Sequence, residues 1–228
     1  LWIADHLSGS VMSAPSMPEC FATLGALAAV TRNIGLGALV VNAGLRDPAI
    51  VANAAATVQE ISGGRFILGL GAGASPTSTF ASELHAIGAD IPATMEQRHK
   101  RLEHVLDVLD SMWSNSRDEK FATFPLPQDS ILRILGVNSV ALATLAGKRC
   151  DGVNIRASHE RRGEILRAAR DAAGDREFMV SVWDWFDEAL LDETSDARKQ
   201  MAREGVNRLI LLMRGAPDAA RIEDHPVL

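Results

Sequence analysis

Three short stretches of this 228-residue chain carry residue types that could do chemistry. Asp5-His6 follows the apolar run Leu1-Trp2-Ile3-Ala4. A histidine exchanges protons near neutral pH, and a carboxylate beside it accepts hydrogen bonds from a ligand. The competing reading is that Asp5 caps a loop amide and His6 is a partly buried polar residue. In Gly69-Leu-Gly71-Ala-Gly73 the glycines alternate, so on a strand they share one face with Ile67. A face without side chains leaves room for a large flat group, or lets backbone amides approach a phosphate. It also serves tight strand packing. The third stretch is Gly136-Val137-Asn138-Ser139, where a strand-like run meets a helical one. Free amides and the helix dipole favour a phosphate there, and Asn138 and Ser139 either add donors or cap the helix.

Other signals point away from specific chemistries. Gly69 to Ala74 matches G-x-G-x-x-A, but Pro76 and a Ser/Thr-rich loop follow where a dinucleotide fold needs a helix and a second strand ending in an acid. There is no G-x-S-x-G, Walker loop or H-E-x-x-H. His85, His99, His104, His159 and His225 lack metal-ligand spacing and read as surface residues, so no metal is expected. Arg98, Lys100 and Arg101 read as a solvated helix face. Cys20 and Cys150 read as buried free thiols, which suits a reducing cytoplasm. A net charge of −6 without a basic block argues against nucleic acid. No apolar run is long enough for a membrane span, and no signal-peptide pattern opens the chain.

Strand and helix patterns alternate along the chain around these residues. Strand-like runs at Leu1–Ala4, Ile34–Val41, Phe66–Gly71, Ile131–Leu135, Gly152–Ile155, Phe178–Trp183 and Leu209–Leu212 are separated by helical patterns. Helices are expected from Pro18-Glu19 to Thr31, over Ala49–Ile61 after an Asp47-Pro48 start, and over Met95–Trp113. Further ones are expected over Val140–Lys148, over His159–Ala173 with Ser158 as cap, and over Asp196–Glu204 with Ser195 as cap. Residues 74–93 and 114–129 form irregular loops, and Pro217–Leu228 is a loosely held tail. Such alternation means a parallel sheet flanked by helices, with 47% hydrophobic residues sufficient for one domain over residues 1–228. A doubly wound sheet and a (β/α)₈ barrel both fit; each places chemistry at the C-terminal strand ends.

Taken together, the chain resembles the bacterial luciferase-like, flavin- or deazaflavin-dependent oxidoreductases. The resemblance rests on Leu1-Trp-Ile-Ala-Asp-His6, Ile34-Gly-Leu-Gly37, Arg46-Asp-Pro-Ala49 and, most specifically, Ser62-Gly-Gly-Arg-Phe-Ile-Leu-Gly-Leu-Gly-Ala-Gly73. The stretch Arg98 to Trp113, Asp151-Gly152 and Gly205-Val-Asn-Arg-Leu209 extend it nearly end to end. It implies an α/β fold of the (β/α)₈ TIM-barrel type, here incomplete, with the first strand and helix missing before Leu1. The Asp-His pair looks like the branch that uses the deazaflavin coenzyme F420. By resemblance, His6 would be the catalytic proton donor or acceptor and Asp5 would help hold the cofactor. Ala38, Leu39 and Val40 would carry a non-proline cis peptide behind the ring. Asn42, Gly71 and Gly73 would line ring and tail, and Gly136, Val137, Asn138 and Ser139 would hold the phosphate. The implied activity is hydride transfer between the deazaflavin and a small organic substrate. The alternatives are an FMN-dependent monooxygenase, or a non-catalytic cofactor-binding relic. Ala74 stands where some deazaflavin relatives place a carboxylate, and residues 114–129 are shorter than the usual insertion. Two chains pairing as a homodimer would cover an open barrel edge.

Overall fold

The computed structural model describes residues 1–213. The expected tail, Pro217–Leu228, and His225 lie outside the described residues. The described residues form eight parallel strands: β1 (Trp2–Ile3), β2 (Leu36–Ala38), β3 (Val41–Asn42), β4 (Phe66–Gly71), β5 (Leu132–Gly136), β6 (Gly152–Arg156), β7 (Met179–Trp185) and β8 (Arg208–Leu212). The helices are α1 (Cys20–Val30), α2 (Pro48–Ser62), α3 (Ser82–Ala86), α4 (Met95–Met112), α5 (Val140–Arg149), α6 (Arg162–Ala173) and α7 (Asp196–Arg203). Strand order is β1-β2-β4-β5-β6-β7-β8, with β3 also pairing β4. The sequence run expected as one strand, Ile34–Val41, is therefore two short strands, interrupted at a cis peptide between Leu39 and Val40. Residues from both ends of this path, Ala4 beyond β1 and Leu212 of β8, line one cavity. The sheet is thus curled into a nearly closed barrel, open between β1 and β8 among the described residues.

The helices form where local chemistry satisfies their ends. Asp47 accepts from the Ala49 amide ahead of Pro48, and Gly63 closes α2 in the left-handed conformation at φ 62°. Thr94 and Gln97 make a reciprocal capping box on α4. Ser139 and Ser195 cap α5 and α7 as expected. The predicted Ser158 cap fails: α6 begins at Arg162, because the Arg161 amide donates to His159 Nδ1 at 3.2 Å and holds a non-helical turn. Arg65 explains one residue of the glycine-rich motif. Its guanidinium donates to the carbonyls of Ala28, Thr31 and Ile34, tying the end of α1 to the start of β4.

The core lies between barrel and helices, where Leu36, Phe66, Leu68, Leu70, Leu102, Leu106 and Leu109 are fully buried. Cys20 and Cys150 are free and buried, and burial pushes both thiols up to about 12. No helix among the described residues is long and apolar enough to cross a membrane.

The strand face over Gly69 and Gly71 is filled by protein, while Gly73 lies exposed beyond the end of β4. A Cβ on Gly69 would meet the Ala38 carbonyl oxygen at 2.1 Å, and one on Gly71 would meet Val40 Cγ2 at 2.6 Å. Gly136, across the same notch, sits with its missing Cβ 3.2 Å from Val40. The face therefore admits the neighbouring Ala38–Val40 segment, and the open space expected along Gly69 is corrected to tight strand packing. Gly71→Ala is expected to destabilise the fold by roughly 1–3 kcal/mol through overpacking against a β-branched side chain. Urea denaturation checks this; a loss below about 0.5 kcal/mol would mean the strand shifts freely.

Candidate active site

The barrel's C-terminal strand ends surround a cavity of about 570 Å³. Its lining includes Asp5, His6, Leu39, Val40, Asn42, Gly71, Gly73, Gly136, Val137 and Asn138, all anticipated from the sequence. Two anticipated residues are not part of the lining. Ala38 is fully buried behind the segment, and the Ser139 hydroxyl accepts from the Leu142 amide at 3.4 Å as the α5 cap.

Asp5 is 4% exposed and its carboxylate is committed to protein partners. Arg46 donates to it through two parallel bonds, Nη1 to Oδ2 and Nη2 to Oδ1, each 2.8 Å. The Asn42 amide adds a third at 2.9 Å. Arg46 also reaches Glu19, the α1 cap, and lies 5.3 Å from the centre of the Phe21 ring. Burial works against the Arg46 charge, but the bonds from Asp5 and then Glu19 outweigh it and hold the guanidinium above its ordinary value. This latch fixes the chain just before His6 relative to the strand end at Asn42.

His6 is tied down from the opposite side. Its Nδ1 lies 2.8 Å from Glu83 Oε1, and the other oxygen of Glu83 accepts from the amides of Leu7 at 2.8 Å and Ser8 at 3.0 Å. The Glu83 side chain is 1% exposed, whereas that of His6 is 22% exposed. The Phe80 ring stacks on the imidazole, centroids 5.9 Å apart and planes at 23°. No hydrogen bond is made by His6 Nε2 among the described residues.

Sequence reasoning missed Glu83 and Phe80, which lie in the irregular 74–93 segment and carry no motif. It also missed Asn154, Trp183, Trp185 and Leu212, which line the cavity from β6, β7 and β8. The strand-end rule could have found Trp183 and Trp185, two residues apart and hence on one face of their strand. Their rings meet edge to face at 6.4 Å. Arg98 corrects the reading of Arg98, Lys100 and Arg101 as a solvated helix face, and His99 corrects its reading as a surface residue, since both line the cavity from the first turns of α4. Arg98 donates to the Pro92 carbonyl at 3.0 Å, while burial and then the Arg98 charge push the His99 imidazole down. Of that trio, Lys100 is the exposed residue, and Arg101 pairs with Asp90 at 3.1 Å.

The profile of the family described as luciferase-like monooxygenase matches residues 1–210. The chain is 31% identical over 179 residues to a 5,10-methylenetetrahydromethanopterin reductase of Archaeoglobus fulgidus, covering 75% of this chain and 48% of that protein. It is 27% identical over 162 residues to an F420-dependent glucose-6-phosphate dehydrogenase of Nakamurella multipartita, covering 67% and 46%. The chain thus spans about half the length of these curated relatives. Among solved structures, an F420-dependent secondary alcohol dehydrogenase in complex with an F420-acetone adduct aligns with a TM-score of 0.73. That alignment covers 96% of this chain and 85% of the other at 17% identity, a likeness of fold.

Proposed function

The chain belongs to the luciferase-like monooxygenase family, and from that premise we propose that it is an oxidoreductase moving a hydride between a deazaflavin of the F420 type and a small organic substrate. The observation that carries this reading is His6 on the wall of the strand-end cavity, clamped at Nδ1, with its other ring nitrogen making no hydrogen bond among the described residues. Relatives named as F420-dependent support the choice of cofactor.

The residues present fit such a group. A cavity of about 570 Å³ lies in the range that holds drug-sized ligands. Leu39, Val40, Gly71, Gly73 and Asn42 would back a flat ring, with Ala38 supporting them from behind. Gly136, Val137 and Asn138 would receive a phosphate at the start of α5, and Ser139 would keep that helix end capped. Asp5 would hold the cofactor indirectly, by fixing the Asn42 amide. A bound deazaflavin supplies two-electron hydride chemistry. His6 would give or take the accompanying proton at Nε2, while Trp183, Trp185, Leu212 and Phe80 would hold the apolar body of the substrate and exclude water. Two buried, unpaired thiols suit a reducing cytoplasm.

A fluorescence titration of the purified chain with coenzyme F420 and, separately, FMN tests the reading. Saturable binding of F420 and not FMN is expected. Binding of FMN alone would move the chain to oxygen-activating chemistry, and binding of neither would leave it a non-catalytic relic.

A further inference from the structure

We propose that Glu83 is a positioning residue for His6, which fixes the neutral ring in the Nδ1–H form and leaves Nε2 as a proton acceptor facing the cavity. The catalytic importance of this arrangement rests on the function proposed above; the arrangement itself does not.

The geometry leaves little freedom. Oε2 of Glu83 faces two backbone amides, Leu7 and Ser8, which can only donate. Oε1 faces His6 Nδ1 at 2.8 Å. A carboxylate that accepts at every contact requires Nδ1 to carry its hydrogen, so the neutral ring has its lone pair on Nε2. Burial of the Glu83 side chain to 1% exposure removes the water that would compete for these bonds. Phe80, three residues before Glu83, stacks on the same ring. The segment Thr79–Ala86 therefore sets both the tilt and the tautomer of the imidazole. Glu83 and His6 are 77 residues apart in sequence.

The exchange Glu83→Gln reverses the pattern with almost no change in shape. The two amides still require an acceptor, so the new carboxamide oxygen turns to Leu7 and Ser8. Its NH₂ group then faces Nδ1, which becomes an acceptor, and the ring hydrogen moves to Nε2. An asparagine that traps the wrong histidine tautomer in a serine protease lowers kcat about 10⁴-fold while the site geometry survives.

The test combines ring-nitrogen NMR of His6 on the neutral form, at alkaline pH, with steady-state kinetics. Hydrogen on Nδ1 in the wild type and on Nε2 in Glu83→Gln is expected, with kcat lowered at least about a hundredfold and KM nearly unchanged. Hydrogen on Nε2 in the wild type would overturn the proposal, whether or not the variant folds. So would a folded Glu83→Gln enzyme with wild-type kcat. The NMR requires neither cofactor nor substrate. A chain that shows the tautomer switch yet binds no coenzyme would thus support the positioning role and refute the function proposed above.

Discussion

Replacing His6 with alanine is expected to lower turnover by roughly 10²–10⁴-fold, the span of one well-placed acid-base group, and to leave coenzyme affinity within about threefold. The separation of the two effects follows from where His6 stands. The groups proposed to face the cofactor, Leu39, Val40, Asn42, Gly71, Gly73 and Gly136 to Asn138, come from the strand ends β2 to β5, and none bonds to the imidazole. Removing the ring also leaves the Leu7 and Ser8 amides on Glu83, so the loop after β1 keeps its anchor. Single-turnover hydride transfer, measured by loss of deazaflavin absorbance beside the binding titration, checks both halves. Unchanged turnover would remove His6 from the mechanism. A parallel loss of binding would mean it shapes the cofactor site.

Arg46→Met carries the largest expected cost in stability, about 3–5 kcal/mol, because it strands a buried charge. The Asp5 side chain is 1% exposed and takes two of its three hydrogen bonds from Arg46. Methionine fills part of the volume and supplies no donor. Adding Asp5→Asn to the same chain removes the charge that Arg46 neutralised, so the double variant is expected to recover part of the loss. Urea unfolding with an unchanged m-value is the measurement. A cost below about 1 kcal/mol would show that water reaches Asp5 once Arg46 is gone. Coenzyme affinity is expected to fall as well in Arg46→Met, since Asp5 holds the backbone amide of Asn42, a residue of the cavity lining.

Much of the architecture was legible because local chemistry sets it. Phe66–Gly71 has the same ends in sequence and structure, since a glycine turn precedes it and every residue of the run is buried. The α4 start at Met95 follows from Thr94 and Gln97, three residues apart. The α6 start was illegible because His159 itself supplies a turn acceptor, which no periodicity reports. The cis peptide within Ile34–Val41 was anticipated by resemblance alone, and the split of that run into two strands was not, since the apolar pattern continues unbroken through Leu39 and Val40.

The candidate site divides along the same line. Alternation alone dictates the parallel βα order, and hence that Asp5-His6, Asn42, Gly71 and Gly136 meet at the C-terminal ends of one parallel sheet; that the sheet is a barrel was implied by the resemblance. What those residues do to one another depends on contacts made across the folded barrel. Glycines that promised open space instead receive Val40, since a missing side chain looks the same in sequence whether a ligand or a neighbouring strand fills it. Asp5 turned to Arg46, 41 residues away, and His6 to Glu83, 77 residues away. Which carboxylate serves which cation is settled by burial and hydrogen-bond geometry across elements, and neither quantity exists until the barrel has closed around them.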